Sequence, residues 1–204
     1  MRLEKLIQKY NIAGPRYTSY PTAMQFSGDF NRDQCLQDIT QQQQADAPLS
    51  LYLHIPFCAK ICYYCGCNKV ITQNHNRSSR YLSHLHREID EHSAHIDARR
   101  PVRQIHFGGG TPTFLNTAQL REVMEVIAQS FHLGLPDSLE IGIEIDPRTV
   151  TKDEMTELVK MGFNRVSIGV QDFDPDVQKA INRIQSKEQV DNVIQSARDN
   201  HVDS

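Results

Sequence analysis

Leu49-Ser-Leu-Tyr-Leu-His-Ile-Pro-Phe-Cys-Ala-Lys-Ile-Cys-Tyr-Tyr-Cys-Gly-Cys67 joins an alternating apolar segment directly to a run of closely spaced cysteines. Its first part, Leu49–Ile55, sets leucine and isoleucine on one side and Ser50, Tyr52 and His54 on the other, the period of a β-strand. Its second part carries Cys58, Cys62, Cys65 and Cys67, four of the chain's five cysteines. A disulfide framework spreads its cysteines along the chain, so this crowding favours a reducing cytoplasm and a metal site. Three thiolates spaced C-x3-C-x2-C can turn inward on one tight loop and each hold an iron of a cubane cluster. If Cys67 closes the fourth corner the cluster relays electrons; if it does not, an open iron can bind and activate a small molecule. Four cysteines can also hold zinc, although zinc knuckles pair two C-x2-C ends across an intervening segment and this loop has no second half.

Outward from that stretch the chain alternates strand and helix. The pattern predicts a helix over residues 79–96 with Leu82, Leu85, Ile89 and Ile96 on one face, then a short strand Gln104–Phe107 running into Gly108-Gly-Gly-Thr-Pro-Thr113. Asn116 caps a helix bearing Leu120, Val123, Met124 and Ile127, and Leu139–Ile145 is the third strand. Thr151 and Glu154 form a capping box for a helix that Gly162 can end. Arg165–Gln171 reads as the fourth strand, Asp174-Pro175 starts a short helix, and Ser186 with Gln189 caps a last one. Four βα units in series argue for parallel strands joined by right-handed crossovers. The strands alternate instead of being apolar throughout, with Ser50, Tyr52 and His54, then Glu140, Gly142 and Glu144, then Ser167, Gly169 and Gln171 opposite the apolar face. Helices cover one side only, so the polar side faces water or lines a lumen. A one-sided antiparallel sheet is the competing arrangement, but hairpin turns are absent and the connections are helix-length. The series stops after a helix, where alternation calls for another strand, and an unpaired edge is one that natural sheets avoid exposing.

The remaining features set limits. Over 204 residues the net charge is −3, which gives no electrostatic case for nucleic acid or an anionic membrane. No apolar run reaches the roughly 18–20 residues of a span, and Met1-Arg-Leu-Glu-Lys-Leu6 lacks the apolar stretch of a signal peptide. Residues 1–47 are polar and irregular and form an N-terminal arm. Cys35, in a polar helix-like stretch within it, reads as an inert surface or packing thiol.

The cysteine spacing directly after a first strand, with the aromatic Tyr64 before the third cysteine, is the pattern of radical S-adenosylmethionine (SAM) enzymes. His54-Ile-Pro-Phe-Cys58, Cys65-Gly-Cys67-Asn68, Gly108–Thr113, Ile143-Glu-Ile-Asp-Pro-Arg148 and Gly169-Val-Gln-Asp-Phe173 follow in the order seen in bacterial oxygen-independent coproporphyrinogen III oxidases (dehydrogenases), a radical SAM family that the chain resembles along its length. Pro15-Arg-Tyr-Thr-Ser-Tyr-Pro-Thr22 is similar to that family's arm. A sister family of haem-handling proteins lacks that arm and the cysteine at the place of Cys67. It is the alternative, a haem chaperone in place of an enzyme.

The resemblance implies an α/β fold: a partial (βα)6-type radical SAM barrel, truncated after four βα units, over residues 48–204, with the remaining strands and a C-terminal domain missing. It implies a [4Fe–4S] cluster on Cys58, Cys62 and Cys65, with SAM on the open iron and Cys67 near the cluster but not a ligand. Tyr52, Gly109 and Glu144 match contacts to this first SAM. Tyr64, Gly110, Thr111, Gln171 and Arg183 match contacts to a second SAM, Arg183 taking its carboxylate. By its place after a short helix alone, Arg183 would be a solvated residue, and His54 and His106 would be satisfied structural histidines. The implied reaction is anaerobic: a 5′-deoxyadenosyl radical from SAM abstracts hydrogen from a propionate, and two decarboxylations turn coproporphyrinogen III into protoporphyrinogen IX in haem biosynthesis. The implied setting is a cytoplasmic monomer served by a reductant protein, with Arg16, Tyr17 and Tyr20 as candidates for gripping porphyrinogen carboxylates. Residues 1–204 alone are expected to bind SAM weakly and to lack activity.

Overall fold

A computed structural model describes residues 3–11, 23–29, 31–41 and 47–202. The arm motif of residues 15–22, with Arg16, Tyr17 and Tyr20, lies outside them. Two compact units divide the chain, Met1–Asp38 and Ile39–Ser204. The first contains α1 (Leu3–Tyr10) and a 3-10 turn, Ala23–Gln25, and α2 (Arg32–Gln41) begins in it. Cys35 sits half-buried on α2.

In the second unit β1 (Leu49–Ile55), β4 (Val102–Gly109), β5 (Glu140–Ile145) and β6 (Arg165–Ile168) pair in that order, and each pair is parallel. That pairing rules out the antiparallel alternative. Between β1 and β4 come β2 (Phe57–Cys58), β3 (Val70–Ile71) and α3 (Arg77–Ser93); then α4 (Thr117–Ser130), α5 (Lys152–Lys160), α6 (Pro175–Ala180) and α7 (Lys187–Asp199) follow. The apolar sheet face buries Leu53, Ile55, Ile105, Phe107, Ile143 and Ile145, and each crossover helix adds one stripe. On α3 that stripe is Leu82, Leu85 and Ile89, and on α4 it is Leu120, Val123, Met124 and Ile127. Each such side chain contributes about 1.5–3 kcal/mol by leaving water. The predicted capping boxes form at Asn116–Gln119, Thr151–Glu154 and Ser186–Gln189. Gly162 ends α5 with φ +99°.

The opposite face satisfies its polar groups laterally. Ser50 Oγ donates to Gln104 Oε1 (2.7 Å), Gln104 Nε2 to Glu140 Oε1 (2.8 Å) and Arg165 Nη1 to Glu140 Oε2 (2.8 Å), one ladder across all four strands. A second row stacks Tyr52 on His106, 6.0 Å between ring centres, over the bare Cα of Gly142.

Four expectations need correcting. The N-terminal arm is not irregular throughout, because Leu3–Tyr10 and Arg32–Gln41 are helices. Helix α3 stops at Ser93, so Ile96 lies beyond it in a bend. Strand β4 is longer than Gln104–Phe107, because parallel pairing with β1 carries it from Val102 into the glycines. Strand β6 ends at Ile168, and Gln171 takes a left-handed φ of +64°, so it belongs to the following loop.

Candidate metal and cofactor site

At the C-terminal ends of the four strands lies a cavity of about 260 Å³. Because the strands are parallel, every βα loop emerges at this one edge. Strand β1 leads into the cysteine loop, and the two-residue ladder between β2 and β3 closes that loop at its neck. Val70 N–H donates to Pro56 O (2.6 Å) and Thr72 N–H to Cys58 O (2.9 Å). Lys69 Nζ donates to the carbonyls of Cys65 (2.9 Å) and Cys67 (3.2 Å), which holds the loop folded. Nothing in the sequence pattern marked this neck or this lysine, since both depend on chain closure.

The glycine loop docks against the same neck. Gly110 N–H donates to Ile55 O (2.9 Å) and Thr111 N–H to Phe57 O (2.8 Å). A Cβ on Gly110 would lie 2.8 Å from Cys58 Sγ, so the loop approaches this thiol because it lacks a side chain there. Gly109, at φ +117°, packs its bare Cα on the His54 imidazole. Its N–H donates to Glu144 Oε2 (3.2 Å), while His106 Nε2 lies 3.6 Å from Glu144 Oε1. His54 bonds Tyr52 OH (3.1 Å) and Asn68 O (2.8 Å), and is thereby satisfied.

All four loop cysteines line the cavity as free thiols, together with Tyr64, Gly109, Gly110, Thr111, Glu144, Gln171 and Arg183. Of the expected residues Tyr52 alone stands outside the cavity wall. It is 58% exposed and leans with Glu144 over the bare Gly108. Arg183 contradicts the solvated reading of its position: it is 7% exposed. It pairs with Asp146 Oδ2 (3.1 Å) and donates to Gly169 O (2.7 Å). Asp146 is in turn gripped by Arg148, through Nε to Oδ1 (2.9 Å) and Nη2 to Oδ2 (2.6 Å).

The donor set fits an iron–sulfur cluster. The ligand candidates are soft thiols around one cavity. Cys58 Sγ accepts from Thr111 Oγ1 at 3.5 Å, and Cys62 Sγ faces Arg183 Nη1 at 3.7 Å. Among the described residues no three His, Cys, Asp or Glu side chains are placed to hold a single metal ion. Zinc wants its ligands converged on one point, whereas the irons of a cubane each take their own thiolate. Burial pushes the Cys58 thiol up, the nearby Cys65, Cys62 and Asp146 add to this, and the Thr111 hydroxyl opposes it. Burial also pushes Tyr64 up to about 12, with Cys62 next in effect. A thiol gives up its proton when a metal takes it, so loading couples to pH.

The model of the radical SAM superfamily matches residues 52–204. The oxygen-independent coproporphyrinogen III oxidase of Pseudomonas aeruginosa is 53% identical over 196 residues, covering 95% of this chain and 42% of that protein. The Escherichia coli protein of the same description is 47% identical over 194 residues, covering 95% of this chain and 41% of the relative. A solved structure described as coproporphyrinogen III oxidase (HemN) from Escherichia coli, a radical SAM enzyme, superposes with a TM-score of 0.85 at 42% identity over 98% of this chain. The chain spans 44% of that structure, less than half of the relatives it matches. With three quarters of its length inside the family's pattern and the cysteine loop at its expected place, this chain belongs to the radical SAM superfamily.

Proposed function

We propose that the chain forms the cluster- and SAM-binding part of an oxygen-independent coproporphyrinogen III oxidase acting in haem biosynthesis. The observation that carries this is the meeting of Cys58, Cys62 and Cys65 with the glycine loop, Glu144 and Arg183 around one cavity. High identity to two proteins of that description supports it over the haem-chaperone branch, as does a cysteine at position 67.

In this reading Cys58, Cys62 and Cys65 hold the [4Fe–4S] cluster, and Cys67, exposed at the rim, stays free. The backbone of Gly109 approaches the methionyl part of a first SAM, with Glu144 and Tyr52 as further contacts to it. Tyr64, Gly110, Thr111, Gln171 and Arg183 border the place of a second SAM, whose carboxylate suits the planar fork of Arg183. Bound there, cluster and SAM would supply reductive cleavage, with the electron coming from the reductant protein, and hydrogen abstraction from a substrate propionate, which would become vinyl by losing CO2 and passing one electron to an acceptor. The chain's own residues position these groups and keep water from them. Among the described residues no helix is long and apolar enough to cross a membrane. Free thiols fit a reducing cytoplasm, where a reductant protein feeds a monomer.

Anaerobic assay of the protein carrying this chain, with SAM, reductant and coproporphyrinogen III, should yield protoporphyrinogen IX. Tight haem binding with no vinyl product would select the chaperone branch instead, and a colourless protein with stoichiometric zinc would sink both.

A further inference from the structure

The segment leaving α6 turns back onto the cysteine loop and meets it residue by residue. Tyr63 N–H donates to Ile181 O at 3.0 Å, and Asn182 Nδ2 donates to Ile61 O at 2.8 Å. Between these two bonds, Arg183 Nη1 faces Cys62 Sγ at 3.7 Å. Asn182 makes this possible by taking φ +54°, a left-handed conformation that Asn tolerates better than most side chains. The reversal points Arg183 inward under the loop instead of out to solvent.

Once there, the guanidinium is fixed on two more sides, by Gly169 O and by Asp146 Oδ2. A Cβ on Gly169 would come within 3.0 Å of Arg183 Nη2, so the bare backbone is what lets the fork lie flat. Asp146 cannot swing away, because Arg148 grips both its oxygens and its backbone N–H bonds Oδ1 at 3.0 Å. Among the described residues the buried Arg183 Nε has no partner, so the side chain is held there by its two terminal nitrogens. Cys58, by contrast, receives a neutral hydroxyl from Thr111. Charged N–H groups therefore gather at the Cys62 corner, where Arg148 also bonds the sulfur and Arg183 faces it, while Cys58 meets a neutral donor.

We propose that Arg183, oriented by Asp146, sets the reduction potential of the cluster through the sulfur of Cys62. This rests on the reading that Cys62 is a cluster ligand. An added electron spreads onto the thiolate sulfurs, and a charged N–H donor aimed at one of them stabilises the reduced form. Asp146 acts as a positioning residue, since it touches Arg183 and not the sulfur. This role is separate from binding a SAM carboxylate and is present before any SAM arrives.

The test is a redox titration of the anaerobically reconstituted protein without SAM, followed by the electron spin resonance of the reduced cluster, with iron counted on the same samples. Arg183→Gln should keep its iron and shift the midpoint to more negative potential by about tenfold in the reduced-to-oxidised ratio, about 59 mV for one electron. Arg183→Lys keeps the charge but cannot meet Asp146, Gly169 O and Cys62 together, so it should shift the same way by less. An unchanged midpoint with full iron in Arg183→Gln overturns the proposal. Should that variant fail to hold iron, a wild-type midpoint in Arg183→Lys overturns it. In an Arg148→Gln background, which removes the other cation that Asp146 holds at Cys62, Asp146→Asn should move the midpoint when Arg183 is present and far less when position 183 is already Gln; additive shifts overturn the assignment of Asp146. Wild-type protein that takes up no iron would overturn the cysteine reading itself, and this inference with it.

Discussion

Replacing Gly110 by Ala tests the close approach on which the site is built. Its Cβ would meet Cys58 Sγ at 2.8 Å, Phe57 O at 2.8 Å and the Pro56 carbonyl carbon at 3.0 Å. That is about 0.6 Å short of ordinary contact. Two of the three atoms are backbone, and Gly110 N–H is itself tied to Ile55 O at 2.9 Å. The glycine loop therefore has to lift away from residues 55–57, or Cys58 has to leave its place. Overpacking of this kind costs about 1–3 kcal/mol. At about 2–4 °C per kcal/mol for a chain of this size, the melting temperature of the apo protein should fall by about 2–12 °C. Iron uptake on anaerobic reconstitution should fall too, because Cys58 is one of three proposed ligands. Gly66→Ala is the matched control: it lies between Cys65 and Cys67, has no atom within 4 Å of a built Cβ, and should stay within about 0.5 kcal/mol of wild type. Wild-type melting and full iron in Gly110→Ala would refute the packing of the glycine loop on Cys58.

Serine at Cys58, Cys62 or Cys65 should abolish the cluster absorption, whereas Cys67→Ser should keep iron content, read by colorimetric assay. Burial pushes the Asp146 carboxyl up, but the hydrogen bonds of Arg148 and the charges of Arg183 and Arg148 outweigh this and hold it below the usual carboxylate range. Its stabilisation is then complete above the unfolded value of about 3.9 and is lost as pH falls through the lower native value. Urea midpoints measured from pH 6 downward should therefore drop below about pH 4 in the wild type and drop less in Asp146→Asn. Phe107→Ala empties a fully buried site that also packs edge-on to Phe163 at 5.3 Å, and should cost about 3–5 kcal/mol in denaturant unfolding. Asn116→Ala removes the α4 capping box and should cost about 1 kcal/mol.

What the sequence disclosed was set by how local each cause is. The capping boxes at Asn116, Thr151 and Ser186 depend on residues three apart, and the strand alternation depends on neighbours two apart, so both were legible. The end of β6 was not, because residues after Ile168 keep an alternating pattern while Gln171 turns left-handed. Ile96 fits the helical period of α3 although the helix stops at Ser93. Among site residues, the thiols and glycines announce themselves by spacing. Arg183 does not, for its burial comes from Asp146 and Gly169, 37 and 14 residues earlier in the chain. Tyr52 alternates onto the correct face, yet it stacks on His106 and stands outside the cavity wall.

A loop that carries ligands cannot be held by a core of its own. Between Cys58 and Lys69 the side chains are exposed or half-buried, so burial of apolar surface does little to fix residues 59–69. Hydrogen bonds do this instead, and they come from four directions: the β2–β3 neck, Lys69 on its carbonyls, the glycine loop against Ile55 and Phe57, and the 181–183 turn. Each net hydrogen bond contributes only about 0.5–1.5 kcal/mol, so losing any single tether should loosen the loop without unfolding the sheet beneath it. Each of the four bears on a segment that holds Cys58, Cys62 or Cys65, and the tethers therefore position thiols more than they stabilise the fold. Parallel pairing supplies the geometry for this, because it brings the loops after β1, β4, β5 and β6 to one edge. Residues as far apart as Cys62 and Arg183 then act on the same few atoms.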